Sequence, residues 1–205
     1  MLEKYKKNYV DKKCTSIGLF REIKKKYLCN KVLYGGCYVH ISPSLIFSDV
    51  TYIDSFKNTY KFFKSEEVEN YIRTNKEYKD ESKFKFYQQN YFEDLSEKLE
   101  SFDVIISQYG GFVGQGLKKY LKKNSILVCN NSHGDASMAD FDSDYELIGV
   151  YNRKSDEEFT ISDKNLNEYL IPKSDKNNSK EYVEKTMKGI VYTKSPSGYI
   201  FKKIG

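Results

Sequence analysis

Two histidines, two carboxylates and a glycine pair stand out in this chain as side chains and turns able to do chemistry. The chain holds only two histidines, His40 and His133. His133 stands in the loop "NNSHGDASMAD" with Asp135 two residues on. A histidine poised by a carboxylate can act as a general base that takes a proton from a hydroxyl, carboxyl or amine. The plainer role for such a loop is to cap backbone groups, with Gly134 supplying a positive φ. A second candidate is "KVLYGGCYVHISPS", where Gly35 and Gly36 would let a backbone come close to a ligand. The third glycine of a dinucleotide fingerprint is missing, so a tight turn is the competing reading. Asp54 follows the pair by about 20 residues, the position from which an acidic side chain accepts hydrogen bonds from ribose hydroxyls. Its alternative role is to cap a helix starting near Ser55.

Metal chemistry is weighed and set aside. Cys37 with His40 and Cys129 with His133 make C-x-x-H and C-x-x-x-H pairs that zinc would accept. Cys129, however, lies in an apolar run where a small buried thiol is ordinary, and a fourth strand is expected between the first and fifth, holding the pairs apart. No metal is expected.

These residues need elements to position them. "SIGLFREIKKKYL" has the apolar spacing of an amphipathic helix. "KVLYG", "VTYID", "KFKFYQQNY", "DVIIS", "SILVCNN" and "YELIGVY" read as strands. Between them, Ser42 and Pro43 open a short helix, "SFKNTYKFFKSEEVENYIRTN" reads as one bent helix or two, and "EDLSEKLESF" and "VGQGLKKYLKK" read as helices. Strands alternating with helices predict an α/β fold: a doubly wound, mainly parallel sheet with helices on both faces. Beyond Tyr151 the alternation fails in a polar stretch with one helix at "KNLNEYL", and "GIVYTKSPSGYIFKKI" predicts a C-terminal antiparallel hairpin at the sheet edge. The whole is expected to be one domain, 1–205, with an N-terminal helical extension over 1–30, a core over 31–151 and a C-terminal helix and hairpin over 152–205.

In such a sheet ligands sit beyond the carboxyl ends of the strands, where strand order reverses. The ends of the predicted strands carry Gly35 and Gly36, Asp54, Asn90 and Tyr91, Gln108 and Tyr109, and the stretch from Asn130 to Asp135. Both histidines fall beyond strand ends as well.

Composition narrows the partners. A formal net charge of +5 attracts polyanions weakly, yet acidic residues are interleaved throughout, so nucleic acid is permitted and not implied. The charged N-terminus and the lack of a long apolar run predict a cytoplasmic protein without a membrane partner, and four sparse cysteines fit a reducing compartment.

From Lys31 to Tyr151, through "KVLYGG", "VTYID", "KFYQQNYFEDL", "FDVIIS" and "LKKYLKKNSILVCNN", the sequence resembles the class I S-adenosylmethionine-dependent methyltransferases. The resemblance implies a Rossmann-like fold and S-adenosylmethionine as cofactor. Gly35 and Gly36 would lie beneath its methionine part, Asp54 would hold the ribose, Asn90 and Tyr91 would flank the adenine, and Gln108 would border the site. The chain departs from the family pattern at Tyr34, where an acidic residue usually ends the first strand, and at "SQYGGF", which lacks the Asp/Asn-Pro-Pro-aromatic signature of many base and amide N-methylating members. Three functions follow for testing: a methyltransferase acting on a small molecule or exposed polar group, a non-catalytic relative that binds the cofactor, another nucleotide or a protein, and an RNA-directed enzyme.

Overall fold

The computed structural model describes residues 1–205. Eight strands form one sheet in the order β3-β2-β1-β4-β5-β8-β6-β7. They are β1 (Lys31–Gly35), β2 (Asp49–Ile53), β3 (Lys83–Tyr87), β4 (Phe102–Ser107), β5 (Leu121–Cys129), β6 (Tyr145–Arg153), β7 (Phe159–Ser162) and β8 (Gly198–Lys203). The pairs joining β1 to β5 are parallel; β8 runs antiparallel to both β5 and β6, and β6 and β7 form an antiparallel hairpin. The expected α/β class is what the chain adopts.

Period-2 alternation explains why both faces need cover. Val32, Tyr34, Val104, Ile106, Ile126 and Val128 enter one core, while Leu33, Ile105, Leu127 and Cys129, pointing the other way, enter a second. On the first face lie α1 (Glu3–Tyr5, continued by a π turn over Lys6–Val10), α2 (Ile17–Tyr27), α3 (Pro43–Ile46), α4 (Thr59–Phe63) and α5 (Glu66–Asn75). On the second lie α6 (Val113–Leu117), α7 (Asp135–Asp140) and α8 (Lys180–Thr186). Helix α2 presents Ile17, Leu19, Phe20 and Ile23 to the sheet and ends in Lys24, Lys25 and Lys26, cations favoured at a helix C-terminus.

Five local expectations are corrected. "EDLSEKLESF" is a turn segment, because the Leu95 N–H is given to the Tyr120 hydroxyl at 2.7 Å instead of to a helical carbonyl. The helix expected over "VGQGLKKYLKK" stops at Leu117, and after a 3-10 turn the chain becomes strand at Leu121. Gly114 permits that short helix to close on Leu127 and Asp135, whose atoms a Cβ would meet at 2.6 and 2.9 Å. "KNLNEYL" keeps only a 3-10 turn over Leu166–Glu168. The two halves around "SPSG" do not pair with each other: β8 inserts between β5 and β6, and Tyr192 makes only an isolated bridge to Pro172. The edge hairpin is formed instead by β6 and β7, and α8 occupies the stretch expected to be polar linker. No helix is long and apolar enough to cross a membrane.

Candidate functional site

The parallel strands end along one edge, and there a cavity of about 410 Å³ opens beneath the N-terminal segment. Crossing the edge, its lining takes Tyr34, Gly36, Tyr38 and His40 from β1 and the turn after it, Gln108 and Tyr109 from the loop after β4, Asn130 from the loop after β5, Ser197 before β8, Tyr151 and Arg153 from β6, and Phe159 at the start of β7. Tyr9, Cys14 and Ser16 complete the lining from the N-terminal side. The β6–β7 turn grips that segment. Asp156 accepts the Thr15 hydroxyl at 2.6 Å and the Ser16 N–H at 2.8 Å, and Arg153 Nη2 donates to the Lys13 carbonyl. A smaller recess of about 230 Å³ adjoins the cavity, sharing Tyr109, Asn130 and Ser197 and adding Ser132.

The glycine pair serves the meeting of β1 with β4. Gly36 has φ +65°, donates its N–H to Ile53, and is so close to the loop after β4 that a Cβ would lie 2.6 Å from the Gly110 Cα. A Cβ on Gly35 would meet the Val113 side chain at 2.6 Å. The missing side chains therefore face protein, and Gly36 touches the cavity through its backbone.

His40 forms the cavity floor. It is 1% exposed, stacks on Tyr9 with ring centroids 4.2 Å apart, and places Nε2 2.8 Å from the Thr15 carbonyl and Nδ1 2.9 Å from the Tyr34 hydroxyl. A carbonyl can only accept, so Nε2 carries the proton and the Tyr34 hydroxyl donates to Nδ1. Burial lowers the His40 pKa to about 4, holding the ring neutral.

The other expected residues are divided. Gln108 lines the cavity. Asp54 borders it through Tyr38, whose N–H its carboxylate accepts at 2.7 Å, while its other oxygen accepts the Phe56 N–H at 2.8 Å. Asn90 is spent on a turn, accepting the Phe92 N–H at 3.0 Å, and Tyr91 packs on Phe92 and against Gly116 and Gly111. Neither reaches the cavity lining.

His133 and Asp135 are not brought together. Asp135 is 3% exposed, accepts the Gly114 N–H at 3.1 Å and bonds Ser107, so it ties α7 to the start of α6. Burial raises its pKa to about 7. His133 is exposed, with Nδ1 3.0 Å from the Ser132 hydroxyl, which in turn donates to Asn130 Oδ1 at 2.8 Å. Because the Ser132 hydroxyl spends its proton on Asn130, Nδ1 of His133 carries a proton and donates to Ser132. The orienting role expected of Asp135 thus falls to Ser132 and Asn130, because the helical turn begun at Asp135 carries its carboxylate inward.

The two Cys–His pairs also remain apart, and no group of three or more His, Cys, Asp or Glu side chains is placed to hold a metal ion. Cys37 and Cys129 are buried thiols with pKa values raised by burial.

Sequence reasoning missed Arg153 and took Tyr109 only as a strand-end residue; both line the cavity. A signal existed for each. Arg21, Arg73 and Arg153 are the only arginines in a chain whose cations are otherwise lysine, and Tyr109 precedes two glycines at a strand end.

No family model and no curated protein matches the sequence. Solved structures do match. A Methanococcus maripaludis protein assigned as an S-adenosyl-L-methionine-dependent methyltransferase superposes with a TM-score of 0.52 at 12% identity, over 100% of this chain and 91% of its own. A SAM-dependent methyltransferase from Methanosarcina mazei matches with a TM-score of 0.46 at 14% identity, over 89% of this chain and 97% of its own. A geranyl diphosphate methyltransferase solved in complex with SAM matches with a TM-score of 0.42 at 10% identity, over 62% of this chain and 56% of its own. The chain spans about half the length of other matches, 55% of the YcgJ protein from Bacillus subtilis and 44% of the cyclase SpnF. With seven of its strands in the order 3-2-1-4-5, then an inserted antiparallel last strand, then the sixth, the chain has the fold of the class I S-adenosylmethionine-dependent methyltransferases.

Proposed function

We propose that this protein is an S-adenosylmethionine-dependent methyltransferase that acts on a small molecule or an exposed polar group. One observation carries the reading. Within a methyltransferase fold, the cavity spans the carboxyl edge of the sheet across β1 and β4, the point where strand order reverses and where ligands bind in doubly wound sheets.

The side chains present fit the cofactor at the β1 end. Tyr9, Tyr34 and Tyr38 offer aromatic faces that attract a cation such as a sulfonium, and Asp54, joined to the lining through the Tyr38 N–H, is the acid of that end. Its carboxylate has about four lone-pair sites, two of them committed to backbone, so two remain for ribose hydroxyls. When bound, the cofactor supplies an electrophilic methyl group. The chain's own work is positioning: the β1 end holds one partner, the β5–β6 end holds the other, and the N-terminal segment covers both from water. His133, exposed and held through Nδ1 by Ser132, which lines the adjoining recess, is the group we assign to take the acceptor's proton. Asp135 acts on α6 and α7, away from that proton.

A second reading, a binding relative without turnover, draws on the closure of Gly36 against Gly110 and the two backbone bonds of Asp54. Methyl-labelled S-adenosylmethionine, incubated with the protein and a cell extract fractionated into metabolites, RNA and protein, separates the two. Label entering the metabolite fraction supports the methyltransferase, and a folded protein that binds cofactor and labels nothing supports the relative. Label entering only RNA overturns the small-molecule assignment.

A further inference from the structure

The cavity is electrically one-sided. Among its lining residues there is no Asp or Glu, and Arg153 is the only formal cation. Its guanidinium, 41% exposed, is held by its inner edge: Nε donates to the Ser155 carbonyl at 3.3 Å and Nη2 to the Lys13 carbonyl, and Nη2 forms an ion pair with Asp156 at 3.9 Å on the side away from the lining. Both oxygens of Asp156 are taken by Thr15 and Ser16. Nη1 of Arg153 makes no bond to protein, so two N–H donors remain.

Two further donors line the same cavity. The Ser197 hydroxyl accepts the Arg153 backbone N–H at 3.0 Å, which leaves its own proton uncommitted. Asn130 uses its oxygen on Ser132 and keeps its amide N–H groups free. Arg153, Ser197 and Asn130 come from β6, the start of β8 and β5, three strands adjacent in the sheet. An array of uncommitted donors around one cation, with no competing carboxylate in the lining, is complementary to an oxyanion.

Aromatic surface adjoins this array. Tyr151 and Phe159 line the same end, with ring centroids 6.2 Å apart. Tyr109 stands at the mouth, 73% exposed and with φ +64°, an unfavourable conformation for a residue with a Cβ. An exposed ring on a strained backbone at a cleft mouth contributes little to the core, and such outliers gather at ligand sites.

We infer that the β5–β6 end of the cavity binds a planar aromatic acid, its carboxylate on Arg153, Ser197 and Asn130 and its ring against Tyr109, Tyr151 and Phe159. This rests on the methyltransferase reading only in making that acid the methyl acceptor. The geometry suits two ligands in line. From β1 to β6 the sheet crosses four strand intervals, roughly 19 Å at the usual spacing, with the acid Asp54 beyond one end and the cation Arg153 at the other. A positively charged cofactor and a negatively charged acceptor are thereby sorted to opposite ends.

The test uses three probes of one shape: 4-hydroxybenzoate, its neutral methyl ester and the cationic 4-hydroxybenzylamine. Calorimetric titration into the whole protein should show the anion binding at least tenfold tighter than the ester, with the amine not binding. Arg153→Gln should lower anion affinity by about tenfold to a hundredfold, the scale of charge-assisted hydrogen bonds, and Arg153→Lys should recover part of it. Because Arg153 also anchors Lys13, Tyr109→Ala serves as a second variant; its exposed ring can be removed without loss of fold, and both the anion and the ester should weaken. Equal affinity for anion, ester and amine, no binding of any probe, or an undiminished anion affinity in folded Arg153→Gln would overturn the inference. Titration with S-adenosylhomocysteine keeps the two proposals apart. Cofactor binding without an anion preference sinks the acceptor assignment alone, and anion selectivity without cofactor binding upholds the site and sinks the methyltransferase.

Discussion

Replacing Gly36 by Ala asks whether the glycine pair serves the fold or the ligand. Gly36 holds φ +65°, and an L side chain in that region costs about 1–2 kcal/mol. The added Cβ would also lie 2.6 Å from the Gly110 Cα, far inside contact distance, so the loop from Gln108 to Gly111 must move; overpacking of this kind costs about 1–3 kcal/mol. Together the substitution should destabilise the protein by about 2–5 kcal/mol. For a chain of this length each kcal/mol lowers Tm by about 2–4 °C, so a fall of about 4–20 °C is expected. Urea and thermal unfolding measure the stability, and titration of S-adenosylhomocysteine at a temperature where the variant is folded measures the site. Affinity should fall by less than tenfold once the variant is folded, because the space the methyl group takes belongs to Gly110. An unchanged Tm with abolished binding would refute the reasoning and put the open side of Gly36 against the ligand.

Three further outcomes follow from the same geometry. Asp54→Ala strands the Tyr38 and Phe56 N–H groups and should cost about 1–3 kcal/mol in urea unfolding, together with a tenfold or greater loss of cofactor affinity by calorimetry. His40 and Asp135 should oppose each other in the pH dependence of stability. His40, lowered to about 4, makes the protein less stable as pH falls from the unfolded value near 6.5 toward 4, whereas Asp135, raised to about 7, makes it more stable as pH falls from 7 toward 4. Wild type should therefore be nearly flat between about pH 4 and 6.5 with respect to these two groups, and Asp135→Asn should unmask a rise of about 1.4 kcal/mol per pH unit, read from denaturant midpoints; an identical profile in the variant refutes the assignment. His133→Ala should slow methyl transfer by about a hundredfold to ten-thousandfold with cofactor affinity unchanged, and Ser132→Ala should slow it less, by loosening the ring; full turnover in both would remove His133 from the chemistry.

How far the sequence carried can be followed residue by residue. The parallel half was legible because β1, β4 and β5 are buried on both faces and therefore read as apolar runs bounded by turns. The antiparallel half was obscure for the converse reason. β7 is half exposed, reading as "FTIS" within a polar stretch, and β8 finds its place between β5 and β6, a pairing across more than forty residues that no local pattern encodes. Site residues divided along the same line. Gly36 and Gln108, legible as strand ends, line the cavity, while Arg153 and Ser197 meet only because β6 and β8 are neighbours. The His133–Asp135 pair looked like a dyad on spacing alone. Local helix geometry decided otherwise: Asp135 begins α7 and turns inward to Gly114, and His133 stays outside on Ser132.

Calorimetric titration of the wild-type chain with S-adenosylmethionine and S-adenosylhomocysteine, with NAD and ATP as controls, tests the central claim most directly. Both sulfur compounds should bind saturably in the micromolar to millimolar range usual for enzyme ligands, weakened tenfold or more by Asp54→Ala, and NAD and ATP should not bind. A folded protein that gives no saturable binding with either sulfur compound, or that binds ATP equally well, would contradict that claim.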